Sequence, residues 1–437
     1  MKKVLIITYY WPPNAGVGVQ RWLKFSKFLP EYGWQPIIFT PENPDFNIKD
    51  KSLDANIDQS TEVLQIPIWE PFSIFDKITG GKNKKNVKQG LVLEKSKPSW
   101  KDKIFIWIRG NLFIPDPRRF WVKPAVKFLE KYIKENNIQA IVTTGPPHSM
   151  HLIGLKLKQK TGIKWLADFR DPWSHWDLHE KLLVGKWALN YHKKMECRVL
   201  HTADTVVTVS NNLARDLGML GGREVDVITN GVDEDDFSAL LNRVVKVDKF
   251  RISYFGLLNE MRDPTVLWEV LTTICLENVD FQDDLELNIG GIVSETILGN
   301  LKKNKQLSTA LNYKSYIPHK QVFEELQRSA LLLVILNKTD NARWIIPAKL
   351  FEYLVTGKEI LLLGPKNSDA ANVLAEAKAG VTVEFDEKEK LKAKILKAYQ
   401  NYKSGNSQLQ TVDFSKYSRK KLTGNLSVLL EKITADK

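Results

Sequence analysis

Long apolar runs are missing from this chain of 437 residues. Its most apolar segments, such as ALLLVIL at 330–336, are strand-length, and a bilayer span needs about 20 residues, so no transmembrane helix is expected. The opening MKKVLII resembles a secretion signal only until TYYWPP interrupts it; no small-residue cleavage site follows, so export is not expected either. Cysteine is scarce. Cys197 and Cys275 have neither metal-ligand spacing nor a disulfide pattern, and each is expected to be a small buried apolar residue in a reducing compartment, which favours the cytoplasm. No short repeat period occurs, and no low-complexity tract apart from one lysine-rich segment.

What remains is ordinary globular composition, 43% hydrophobic and 26% charged, in a chain long enough for two cores. The net charge of +13 calls for an anionic partner: nucleic acid, a phospholipid surface or a phosphorylated small molecule. Nine lysines against two acids fall within residues 77–103, and IFIWIRGNLFIPDPRRFW follows at once. Basic residues beside an amphipathic aromatic stretch suit an anionic membrane surface, here through residues 77–123. The alternative is a solvated insertion with a small satellite core. A nucleic-acid domain would more often show a reading motif, and no nucleic acid is expected as a partner.

Strand and helix patterns alternate along the chain. KKVLIITYY reads as a buried strand, VQRWLKFSKFLPEYG as a helix ending at Gly33, and QPIIFT as the next strand. Further strands are read in QAIVTTG, IKWLADF, ADTVVTVS and DVITNG. After a polar stretch the alternation resumes with FRISYFG, LELNIGG, ALLLVIL and the strand closing IIPAKLFEYLVTGKEILLLG. Two parallel, doubly wound halves follow from this. The expected division is 1–230 with a basic, aromatic insertion at about 70–125, a linker at 231–248, a second domain at 249–412, and a terminal helix at 413–437 packing back on the first domain.

Open parallel sheets bind ligands beyond the carboxyl ends of their strands. WPPNAGVGVQR carries Gly16 and Gly18 there, where small residues let a backbone approach a phosphate or acceptor, or simply make a turn. TTGPPHSMH places His148 and His151 one turn apart, for polar contacts or helix capping rather than metal, since no third ligand is identified. ADFRDPW sets Asp168, Arg170 and Asp171 at a strand end, as an ion-pair network or as groups that bind sugar hydroxyls. SYFGLLNEMRDP puts Arg262 after a strand, where a guanidinium suits a diphosphate or pairs with Glu260 or Asp263. In PAKLFEYL, Lys349 and Glu352 share one helix face, either as a solvated pair or as a ligand site.

These stretches, in this order, resemble the family 4 glycosyltransferases. VITNGVDEDDF at 227–237 is similar to the family's Asn-Gly-Val-Asp signature, and PAKLFEYLVTGKEILLLG to the segment whose helix glutamate binds ribose. The resemblance implies a GT-B fold, two Rossmann-like domains facing a central cleft. It also implies retaining transfer of a sugar from a nucleotide-diphosphate sugar to a glycan or lipid-linked acceptor, in cell-surface polysaccharide or glycolipid synthesis. Glu352 would then hold ribose with Leu350 beside it. Arg262 and Lys349 would meet the diphosphate, Gly16 and Gly18 would approach the donor, and Asp168 and His148 would act at the reacting sugar. Arg170, Asp171 and His151 would orient the acceptor. The resemblance implies no cofactor, and the acidic run DEDD at 233–236 is read as linker rather than metal site. The implied location is the cytoplasm, peripheral on the inner face of the plasma membrane.

Two departures stand out. GLLNEMR occupies the place of the family's Gly-Arg-Leu-x-x-x-Lys run, so Leu257 replaces one cation and Arg262 the other. The family's paired glutamates leave Glu352 but have Trp344 at the first position. The alternatives are a sugar-nucleotide 2-epimerase of the same architecture and a non-catalytic nucleotide-sugar-binding protein.

Overall fold

The computed structural model describes residues 1–14, 16–44, 50, 53–54, 57–58, 60–71, 100–176, 178–237, 247–317, 319–405 and 412–435. Most of the lysine-rich stretch, 77–99, lies outside the described residues. The chain divides into two compact units, Met1–Thr229 together with Arg419–Lys437, and Asn230–Ser418.

In the first unit seven parallel strands form one sheet. They are β1 (Lys2–Ile7), β2 (Trp34–Pro41), β3 (Glu62–Ile66), β4 (Ala140–Gly145), β5 (Lys164–Phe169), β6 (Thr205–Thr208) and β7 (Asp226–Val227), in the order β3-β2-β1-β4-β5-β6-β7. DVITNG thus contributes only two strand residues. Strand order reverses beside β1, whose Val4–Ile7 pair with Ala140–Thr143 of β4, so the ligand crevice of such a sheet opens beyond Ile7 and Gly145. Helix Val17–Phe28 starts after Gly16, whose φ of 120° is open to glycine at low cost. It passes into a tight turn, Leu29–Tyr32, that Gly33 closes in the left-handed region.

The terminal helix Arg419–Ala435 belongs to this same unit. Its Leu422, Leu426, Leu430 and Ile433, at helical spacing, enter the core built on Trp22, Phe25 and Leu29. Tyr32 donates to the Lys420 carbonyl at 3.0 Å, and Lys420 pairs with Glu31 at 2.6 Å. Each buried leucine contributes about 1.5–3 kcal/mol, so the aliphatic stripe rather than the surface ion pairs holds the helix.

The second unit repeats the logic with six parallel strands. They are β8 (Phe250–Phe255), β9 (Leu285–Gly290), β10 (Leu311–Lys314), β11 (Leu331–Ile335), β12 (Ile360–Leu363) and β13 (Gly380–Val383), in the order β10-β9-β8-β11-β12-β13. Here the order reverses between β8 and β11, which directs attention to the segments after Phe255 and Ile335.

Candidate functional site

Each unit carries a polar cluster at its switch point. In the second unit, β8 delivers the chain to Gly256, with φ 133°, and β9 delivers it to Gly291, with φ 111°. A side chain at Gly291 would meet the Gly256 carbonyl at 2.5 Å, so the two turns touch backbone to backbone. Beyond β11, Pro347 precedes helix Ala348–Val355. Lys349 in its first turn sets its ammonium 3.7 Å from the centroid of the Tyr254 ring and 3.0 Å from where a Gly256 side chain would begin. This ammonium is buried and has no hydrogen-bond acceptor among the described residues.

Arg262, in the turn Glu260–Arg262, donates through Nε to Asn337 at 2.6 Å and through Nη1 to the Leu257 carbonyl at 3.4 Å. Tyr254 donates to that same carbonyl at 2.7 Å. Burial lowers the Lys349 pKa and Arg262 lowers it further, against the pull of Tyr254 and Glu352. Burial raises the Tyr254 phenol, and the charges of Lys349 and Arg262 more than offset it, leaving the group below its usual value. Two cations around a glycine turn, with one carboxylate near them, give this point of the unit a surplus of positive charge.

Glu352 is half-buried one turn after Lys349. Leu350 is fully buried in the apolar core with Phe351 and Leu354, because helical rotation turns its side chain away from the Lys349 face. Trp344 is buried, with the Arg343 guanidinium 5.4 Å over its ring.

In the first unit the site residues separate into scaffold and surface. Asp168, at the end of β5, is fully buried. Its carboxylate accepts from Arg21 Nε at 3.2 Å and Nη2 at 3.0 Å, from Trp22 Nε1 at 2.7 Å and from Thr144 Oγ1 at 2.9 Å. Four donors saturate it, and it ties β4, β5 and helix Val17–Phe28 together. Arg21 completes the tie by donating to the Thr229 carbonyl at 3.0 Å.

Gly18 faces Arg170. A side chain there would overlap the Arg170 guanidinium, which also donates to the Pro146 carbonyl and lies 5.9 Å from the Tyr10 ring. The glycine therefore admits an arginine, while Gly16 is exposed, with nothing near its Cα.

His151 is fully buried, stacked on Phe169 with centroids 4.3 Å apart, and its Nδ1 lies 2.8 Å from Thr143 Oγ1. Burial drives its pKa down to about 3, so the ring is neutral. His148 occupies the cap position of helix Ser149–Thr161 but makes no capping bond through its side chain. Its ring stacks on Trp173 with centroids 4.9 Å apart, and the residue is half-buried. Burial, then His151, holds it neutral. Asp171 is exposed at the strand end.

A cluster that sequence reading missed lies beyond β1. Tyr9 donates to Glu70 at 3.0 Å, and Arg118 pairs with Glu70 at 2.9 Å. The three positions are far apart in sequence, and no local spacing marks them. Among the described residues no group of three or more His, Cys, Asp or Glu can hold a metal, and no helix is long and apolar enough to cross a membrane.

Residues 91–236 match the family model described as Glycosyltransferase Family 4. No curated protein matches the chain. Among solved structures, a glycosyltransferase from Rickettsia africae ESF-5 is 14% identical with a TM-score of 0.63, over 100% of this chain and 99% of that one. Anabaena HepE in complex with UDP is 10% identical with a TM-score of 0.60, over 99% and 100%. A TarM mutant from S. aureus, in complex with fondaparinux, alpha-GlcNAc-glycerol and UDP, is 11% identical with a TM-score of 0.57, over 98% and 100%. The shared architecture, two parallel Rossmann-like sheets, is the GT-B fold.

Proposed function

We propose that this chain, a glycosyltransferase of the family 4 type with the GT-B fold, moves a sugar from a nucleoside-diphosphate sugar to a hydroxyl of a glycan or lipid-linked acceptor, with retention at the anomeric carbon. The observation that carries the reading is the Lys349 ammonium, buried without an acceptor beside the Gly256 turn, with Arg262 raising the cost of its charge. A diphosphate supplies the negative charge this cluster lacks. UDP in the HepE and TarM complexes supports the same ligand class.

In the reaction the bond between the anomeric carbon and the phosphate oxygen breaks, and its electron pair leaves on the diphosphate. Lys349 and Arg262 stabilise that charge as it develops. The acceptor oxygen bonds to the carbon on the same face, and its proton leaves with the diphosphate. Glu352 accepts from the ribose hydroxyls. Gly16 approaches the donor, and the neutral His148 imidazole and the exposed Asp171 serve the acceptor side. The reading uses no metal. It places the protein in the cytoplasm, peripheral on an anionic membrane face, in cell-surface polysaccharide or glycolipid synthesis.

A thermal-shift panel of UDP-, GDP- and dTDP-sugars tests it. One base at 100 times its dissociation constant should add about 2.7 kcal/mol of stability. Arg262→Ala should lower turnover about 10²- to 10³-fold, the scale of one lost oxyanion donor, and EDTA should leave turnover intact. Free nucleotide should appear only with an acceptor present, which separates transfer from epimerisation. No stabilisation by any base would reject the reading.

A further inference from the structure

The first unit presents an aromatic face that sugar transfer does not use. Helix Trp100–Asn111 turns Ile104 and Trp107, 50% and 48% exposed, to solvent, and Leu112 follows at 55%. Helix Lys186–Thr202 begins with Trp187, 70% exposed and stacked on Tyr191 with centroids 5.8 Å apart. The two helices are clamped where these residues lie. Asn111 Nδ2 donates to the Trp107 carbonyl at 2.8 Å and to the Leu183 carbonyl at 2.9 Å, and Asn111 Oδ1 accepts from the Gly185 N–H at 2.7 Å. Gly110 lies so close to the Leu182 carbonyl that no side chain fits there. The clamp brings Trp107, Leu112, the exposed Leu183 and Trp187 together around one point.

Exposed charge on the second helix has one sign, and the acids near the face are Asp102 on the first helix and the exposed Glu180 beside Leu183. Helix Lys186–Thr202 exposes Lys186, Lys193, Lys194 and Arg198, while its single acid, Glu196, is buried and accepts from the Ser174 N–H at 3.0 Å. On the first helix Lys103 is exposed as well. Tryptophan and tyrosine rings favour the headgroup boundary, lysines favour anionic headgroups, and neither helix is long and apolar enough to span. A protein partner of equal fit would have to present an acidic surface studded with apolar pockets. An anionic bilayer presents both properties at every point.

We infer that the face formed by helices Trp100–Asn111 and Lys186–Thr202 docks on an anionic lipid bilayer, with Trp107, Leu112, Leu183 and Trp187 entering the headgroup boundary and Lys186, Lys193 and Lys194 holding the surface charge. The inference rests on the peripheral-membrane reading above and gives it a location outside the lysine-rich segment 77–99.

Cosedimentation of the full chain with vesicles of phosphatidylcholine alone, or with phosphatidylglycerol added, tests it without any nucleotide sugar. The wild type should partition onto the anionic vesicles only, and less as salt rises. Trp107→Ser with Trp187→Ser, and separately Lys193→Gln with Lys194→Gln, should each lower the partition coefficient about tenfold or more. Both should keep the nucleotide-induced thermal shift, which reports an intact second unit, and the wild-type circular dichroism spectrum, which reports an intact first unit. No binding by the wild type overturns the membrane reading and this face with it. Binding that both double variants retain overturns the face alone. A concentration-dependent dimer that the tryptophan variants abolish, with vesicles ignored, assigns the face to a second copy and overturns the inference.

Discussion

Replacing Lys349 by methionine should move stability and binding in opposite directions. The ammonium is buried, has no hydrogen-bond acceptor among the described residues, and is compensated by the Tyr254 ring 3.7 Å away and more weakly by Glu352. An unsatisfied buried charged group costs about 1–3 kcal/mol or more, and a desolvated cation over an aromatic ring returns about 1–2 kcal/mol. Methionine keeps most of the length and removes the charge. The ligand-free variant should therefore be more stable by about 1 kcal/mol, a rise of about 2–4 °C in Tm for a unit of this size. Without the ammonium, nucleoside diphosphate should bind about 10- to 100-fold more weakly, the scale of one charged hydrogen bond. Thermal unfolding with and without UDP or GDP reads both quantities in one experiment. The pH dependence supplies a further check. The folded pKa is depressed, so wild-type stability should rise with pH between that lowered value and the ordinary 10.5, where only the unfolded chain holds the proton. The variant should lose this rise. A variant that is less stable without ligand yet binds nucleotide as tightly as the wild type would refute the anion-site reasoning.

Glu352→Gln should weaken nucleotide binding by about 1–3 kcal/mol in calorimetry without changing the fold, as for loss of a charge-assisted hydrogen bond to ribose. Asp168→Asn should destabilise the protein by about 3–5 kcal/mol in chemical denaturation, because Arg21 is left as a buried unpaired cation, while nucleotide affinity holds. His151 and His192 are buried with pKa values near 3 and 4, so the unfolded chain takes up protons that the folded one refuses. Stability should be full above pH 6.5 and fall below it by about 1.4 kcal/mol per pH unit for each histidine, until those lowered values are reached. Denaturation midpoints at pH 7 and pH 5, with His151→Gln reducing the difference, check this.

The apolar runs VLII and LLLVI are strand-length and apolar at every position, the pattern of strands buried on both faces of a parallel sheet. The places of Arg262, in the turn after β8, and of Lys349, in the first turn of helix Ala348–Val355, could be read from the sequence, and the buried, acceptor-free ammonium could not. Asp168 could be placed but not interpreted. Its partner Arg21 is 147 residues away, and a carboxylate beside an arginine in sequence says nothing about a buried arginine elsewhere. Gly18 was read as room for a phosphate because nothing local shows that Arg170 fills that room. Leu350 shares a helical turn with Lys349, and a leucine there signalled core more strongly than site. The aromatic face was half legible. IFIWIRGN drew attention, but KWALNYHKK reads as an ordinary helix until the Asn111 clamp sets it beside the first.

The terminal helix gives the chain an unusual schedule of synthesis. The core around Trp22, Phe25 and Leu29 is closed by Leu422, Leu426 and Leu430, which emerge only after all of Asn230–Ser418 has been made. At about 5–20 residues per second, that intervening unit of roughly 190 residues takes roughly 10–40 s. Through this interval the nascent first unit holds an apolar groove whose filler does not yet exist. Any message cut short before the codons for Arg419–Ala435 would therefore yield a chain with an intact second unit and an unsealed first one, a product that a cell would meet as a chaperone client rather than as a shorter enzyme.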